Sequence, residues 1–223
     1  MNTSDLIATL AGNLKPVRRL RPPVVRAACW LMLAALVLAL LTISQGIRPD
    51  LVERLHDRTF AVSIAASLLT GVLAAIAAFQ LSLPDRSRLW LLLPLPALLV
   101  WLSNISYQCL VQWISIGPQG ITLGEAAHCF ATLALSGLPL SLALLVMLRY
   151  TAPLRPSAVA LTAGLAVGGI TATALSLFHV LDATVLILTW NLGTALLFVG
   201  LGGLFGRRIF QWVAPIPYAA ARG

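Results

Sequence analysis

Two cysteines and a short leucine-bearing tail are the residues of this chain whose types and spacing can do chemistry. Cys109 and Cys129 are separated by 19 residues that include Trp113, Gly117, Pro118, Gly120, Glu125 and His128. A bridge closing a loop of that size is worth roughly 3 kcal/mol in the chain-entropy account. Glu125, His128 and Cys129 also fall at helical spacing, an arrangement that tunes a thiol or helps to hold a soft metal. Three readings of the pair stand: a structural disulfide, inert packing cysteines, or an oxidation-sensitive or metal-responsive couple. Cys29 reads as a small apolar packing residue. In the tail, Leu6, Ile7, Leu10 and Leu14 make one apolar stripe on a short helix that Ser4 or Asp5 can cap. A basic hinge from Lys15 to Pro23 follows, with Arg18, Arg19 and Arg21. So short a helix is marginal alone in water, so the stripe calls for burial against a partner protein or a lipid surface.

The elements that position these residues are six apolar runs: Ala27 to Ile47, Phe60 to Leu83, Leu89 to Ser106, Cys129 to Leu148, Ser157 to Phe178 and Thr184 to Gly206. Each is long enough to cross a hydrocarbon core of about 30 Å as a helix. None contains Lys, Arg, Asp or Glu. In lipid, backbone groups must be satisfied within the segment, so runs of this kind form helices. With 59% hydrophobic and only 10% charged residues, and a mean hydropathy of +0.93, no room is left for a separate soluble domain. The expected fold is all-α: a polytopic bundle of six transmembrane helices over 27–206, with tails at 1–26 and 207–223.

The net charge of +8 belongs to topology rather than to a nucleic-acid face, because the basic residues sit beside the spans. Lys15, Arg18, Arg19, Arg21, Arg26, Arg86, Arg88, Arg149, Arg155, Arg207, Arg208 and Arg222 fall on one side, and Arg48, Arg54 and Arg58 on the other. Flanking cations resist translocation, so both termini are expected in the cytoplasm. Cys109 and Cys129 then share the non-cytoplasmic boundary, where disulfides are permitted. An uncleaved first span is expected, since the run is too long for a signal-peptide core.

Pro22, Pro23, Pro49, Pro84, Pro153 and Pro156 mark span boundaries, while Pro94, Pro96 and Pro139 lie inside spans three and four and should bend them. Tight connections such as 48–59 make sequential spans antiparallel neighbours. Gly164 and Gly168 show the G-x-x-x-G spacing of close helix contacts, read here as packing within one chain. Trp30, Trp90, Trp101, Trp113 and Trp212 are expected at membrane interfaces. Trp190 with Asn191 lies deeper and can supply an interhelical hydrogen bond.

No span carries the buried acid or base that ion-driven transport usually uses. His56, His128 and His179 sit at or beyond span ends, poorly placed for haem or metal. Ser136 has no mid-span base, and packing explains it better than hydrolysis. The chain is therefore expected not to be an enzyme and to hold no cofactor or metal. A small-molecule transporter or channel is the alternative, and an inert scaffold the third possibility.

Several fragments, in order and spacing, carry a resemblance. They are Thr3-Ser4-Asp5-Leu6-Ile7, Val17-Arg18-Arg19-Leu20-Arg21-Pro22-Pro23, Leu81-Ser82-Leu83-Pro84-Asp85-Arg86-Ser87-Arg88, Ala152-Pro153-Leu154-Arg155-Pro156 and the Trp190 region. With these the chain resembles the multipass anti-sigma factors of the NrsF type, negative regulators of an extracytoplasmic-function sigma factor in proteobacteria. The resemblance implies six spans, cytoplasmic termini, and capture of a sigma factor at the inner membrane until stress releases it. It also implies sensing cysteines on the periplasmic side. Cys129 matches the first of them. The second position, a His-Cys-Pro-like context before the last span in relatives, is His179-Val180-Leu181-Asp182 here. Either Cys109 substitutes or this chain answers a different signal. On this reading Leu6, Ile7, Leu10 and Leu14 dock in a groove of the sigma factor, Arg18, Arg19 and Arg21 match acidic surface on it, and the chain touches no nucleic acid directly.

Overall fold

Prolines and polar caps set the helix limits. The computed structural model describes residues 3–12, 21–112, 123–148 and 156–178, and among them every regular element is helical. These are α1 (Thr3–Gly12), α2 (Pro23–Gln45), α3 (Leu51–His56), α4 (Arg58–Leu81), a 3-10 turn (Arg88–Leu92), α5 (Leu95–Gln112), α6 (Leu123–Leu148) and α7 (Pro156–Phe178). Pro23 opens α2, where its missing N–H costs nothing. Gly46 ends that helix at φ +77°, a conformation open to glycine, with its N–H on the Thr42 carbonyl at 3.1 Å. Asp57 caps α4 by accepting from the Thr59 N–H (3.0 Å) and hydroxyl (2.7 Å).

Among the described residues, four helices are long and apolar enough to cross a membrane: Pro23–Gln45, Arg58–Leu81, Arg88–Ser106 and Ser157–Phe178. They coincide with expected spans one, two, three and five. Span four is the 26-residue α6, whose described apolar stretch is shorter, Ala134–Leu148. Span six, with Trp190 and Asn191, and the tail 207–223 lie outside the described residues. Span three differs from a bent continuous helix. It starts as the 3-10 turn and becomes α-helical at Leu95, because Pro94 and Pro96 have no N–H to give and sit where a helix begins. The 48–59 connection, expected to be tight, holds α3.

Among the described residues the bundle is built around the antiparallel pair α4 and α7, their most extensive contact. Small residues make it possible. A Cβ built on Gly169 would stand 2.7 Å from the Gly71 nitrogen and 2.7 Å from the Ser67 carbonyl oxygen. One turn on, the Ser67 and Thr173 hydroxyls meet at 3.0 Å inside the interface. For Gly168 the expectation is corrected here: a Cβ on it meets nothing within 4 Å. The contact uses the neighbouring glycine, on the face that α7 turns toward α4. α5 packs on α4, and α6 on α7 and α2. Trp30, Phe79, Leu140, Leu144, Val159 and Ile170 anchor the main core.

The size pattern is inverted relative to a water-soluble core. α4 buries Ala74, Ala75, Ala77 and Ala78 and exposes Leu68 and Leu69. α2 turns Met32, Leu36, Leu40 and Ile43 outward at intervals of three or four residues, the last 82% exposed. Bulky apolar groups outside and small ones between helices are what packing in lipid favours.

Two of the tryptophans expected near interfaces are buried between helices. Trp30 is fully buried and its indole N–H donates to the Leu140 carbonyl at 3.1 Å. Trp101 packs with Ala66, Ile105 and Ala172. Small neighbours leave room for an indole between helices, and for Trp30 the carbonyl of α6 satisfies its N–H.

Candidate functional site

The antiparallel arrangement places the buried charged groups at two ends of the bundle. At the end where α2 begins, Arg26 is only 7% exposed. Its guanidinium donates to the Met147 carbonyl, in the last turn of α6, and lies over the Phe79 ring, in the last turn of α4, 5.1 Å from its centroid. Carbonyls at helix C-termini lack intrahelical donors and carry the negative end of the helix dipole, so the cation satisfies one such carbonyl at the end of α6. The ring face adds a cation–π contact. Arg26 was read from sequence as a topology charge alone. A helical-wheel view shows it on the stripe of Trp30 and Ala34, at i+4 and i+8, and that was the available clue. In α4 at this end, Gln80 is buried and its side-chain oxygen accepts from no donor among the described residues.

At the opposite end, Arg48 is 4% exposed and pairs bidentately with Asp50, at 2.8 Å and 2.7 Å. It stacks over Phe60, 5.5 Å from the centroid, and its backbone N–H donates to Leu177 near the end of α7 (3.2 Å). Arg54 adds a longer contact to Asp50, 3.6 Å. The Arg48 guanidinium bonded to Asp50 pulls that carboxyl down from 3.8 to about 2. The Asp57 carboxyl is likewise lowered, by the Thr59 hydroxyl and N–H. Nearby, the Thr132 hydroxyl donates to the Gln45 side-chain oxygen at 3.1 Å, joining α6 to the end of α2.

The expected site residues distribute as follows. Leu6, Ile7 and Leu10 are in α1, which begins at Thr3, so Ser4 and Asp5 fall in its first turn instead of capping it. Ile7 is exposed at 61%; the side chains of Leu6 and Leu10 lie outside the described residues, as do Leu14, Arg18 and Arg19. Arg21 is exposed just before α2. Cys109 is on α5, one turn past the buried Ile105, and Cys129 is on α6, one turn before Thr132. Their side chains are outside the described residues. α5 and α6 pack mainly through different neighbours, α4 for one and α7 with α2 for the other. Cys29 is a free, exposed thiol. Ser136 is buried and donates to the Thr132 carbonyl at 2.7 Å, as a packing serine does. Among the described residues no three of His, Cys, Asp and Glu gather to hold a metal.

A bundle of apolar, membrane-length helices with a short exposed helix at its amino end, and polar ties at both ends, defines a helical membrane-type scaffold. The family described as NrsF, Negative regulator of sigma F, matches residues 10–212. The chain belongs to that family, and so to the negative regulators of sigma factors. No curated protein and no solved structure matched.

Proposed function

We propose that this chain is a membrane-bound anti-sigma factor that holds an extracytoplasmic-function sigma factor at the bacterial inner membrane and releases it on stress sensed from the periplasmic side. The family match over nearly the whole chain carries this reading. The inverted size pattern of α2 and α4 supports a lipid setting. In it, six helices span the bilayer, 184–206 is the sixth, and both tails are cytoplasmic. The chain works by binding alone, without catalysis, cofactor or metal.

The tail is the docking element. An amphipathic helix laid in a groove of the sigma factor buries Leu6, Ile7, Leu10 and Leu14, and Arg18, Arg19 and Arg21 complement acidic surface beside that groove. Cys109 and Cys129 belong to the sensing end, and a change there shifts the bundle between states of different sigma affinity, by no more than the difference in binding between those states. Leu10→Asp with Leu14→Asp should relieve repression of a sigma-dependent reporter at unchanged membrane abundance; intact repression would reject the docking helix. Cys129→Ser that leaves the stress response unaltered would remove the thiol from the mechanism.

A further inference from the structure

α6 is tied to α2 by three polar contacts spread along its length. They are Thr132 to Gln45 at 3.1 Å, Trp30 to the Leu140 carbonyl at 3.1 Å, and Arg26 to the Met147 carbonyl. From Thr132 to Met147 an α-helix advances about 22 Å, most of the thickness of a hydrocarbon core. The first contact lies one turn from Cys129. The last lies at the root of the N-terminal tail, since Arg26 is in the first turn of α2. Each tie joins the same two helices, so a shift of α6 along or about its axis is felt at both ends.

We propose that α6 is the element through which a change at the Cys129 end reaches the tail, and that Arg26 is the positioning residue that completes the connection. This rests on the tail being the sigma-binding element. Arg26 is suited to the role because its buried charge is met, among the described residues, by a terminal carbonyl and a ring face and by no carboxylate. Both partners lie in last turns, Met147 in α6 and Phe79 in α4, so the guanidinium registers the relative position of three helices. When α6 moves away, the cation loses its acceptor while still buried, a costly state that α2 relieves by reorienting its first turn. The tail follows. With the clamp closed the tail is presented to the sigma factor; with it open, capture weakens. Arg suits the role better than Lys, because its planar fork stacks flat on a ring and donates in its own plane at once.

The test uses the full chain in nanodiscs, with amide hydrogen exchange, and in cells with a sigma-dependent reporter. Arg26→Met should speed exchange of amides 24–30 by on the order of tenfold while leaving 66–78 at the α4–α7 crossing unchanged, and should raise reporter output; Arg26→Lys should fall between. Thr132→Val should alter exchange at 24–30 in the native background and have no further effect with Arg26→Met present. Should Arg26→Met fail to accumulate, Phe79→Leu removes the stacked ring alone and should give the same pattern at smaller amplitude. Wild-type exchange at 24–30 in these variants, or simple additivity with Thr132→Val, overturns the proposal. If Leu10→Asp with Leu14→Asp derepresses while Arg26→Met is silent, the docking tail stands and the clamp is wrong. If Arg26→Met changes exchange and neither set of variants moves the reporter, the clamp stands as structure and its role in sigma capture is rejected.

Discussion

Replacing Gly169 by Ala attacks the tightest glycine contact among the described residues. The new Cβ would stand 2.7 Å from the Gly71 nitrogen, 2.7 Å from the Ser67 oxygen and 2.8 Å from the Gly71 Cα, all backbone atoms that cannot swing aside. Ordinary contact begins at 3.4 Å, so α4 and α7 must part by about 0.7 Å, a gap that forfeits a quarter to a half of the dispersion energy of the atoms it separates. The Ser67–Thr173 hydroxyl contact, now 3.0 Å, would lengthen to about 3.7 Å and cease to be a hydrogen bond. Overpacking of this kind costs on the order of 2–3 kcal/mol, which for a chain of this size lowers the melting temperature by roughly 4–12 °C. Gly168→Ala is the control. Its Cβ meets nothing within 4 Å, and helix propensity favours the change by up to about 1 kcal/mol. Thermal unfolding of both variants in nanodiscs, followed by circular dichroism, should therefore move in opposite directions. Equal shifts for the two would refute the backbone-to-backbone crossing.

Other outcomes follow from single contacts. Trp30→Phe deletes the donor to the Leu140 carbonyl and leaves unfilled volume, so stability measured in the same way should fall by about 1–2 kcal/mol. Gln80→Leu removes a buried acceptor that no described donor meets, and should be neutral or raise the melting temperature. Asp50, with its carboxyl depressed from 3.8 to about 2, stabilises the fold above its unfolded value and loses that contribution as pH falls through its folded one. Melting temperatures compared at about pH 5 and about pH 2.5 should thus drop less in Asp50→Asn than in the native chain.

Span location was legible because length and apolarity are local properties of the chain: the expected runs at 27–47, 60–83, 89–106 and 157–178 meet helices Pro23–Gln45, Arg58–Leu81, Arg88–Ser106 and Ser157–Phe178. Partner choice is not local. Gly71 and Gly169 are 98 residues apart in sequence, and in a chain rich in Gly and Ala the G-x-x-x-G spacing at Gly164 and Gly168 marks many candidate faces and selects none. The buried cation was missed for a related reason. Arg26 flanks a hydrophobic run, where a basic residue is ordinarily a topology marker; only the meeting of two helix C-termini at that point gives it an interior partner. The same holds for Trp30, whose indole would suit a membrane interface but finds its acceptor on α6. A helix in the tail was legible, since α1 forms over Thr3–Gly12, the segment that holds Leu6, Ile7 and Leu10.

On the proposed function, the N-terminal tail of this family member retains the sigma factor. Purification of the full chain and of a chain lacking residues 1–23 from native membranes, with quantification of the co-purified sigma factor by mass spectrometry, tests it directly. The account requires the sigma factor to accompany the full chain and to be lost from the truncated one at equal membrane abundance. Retention of the sigma factor by the truncated chain would contradict it.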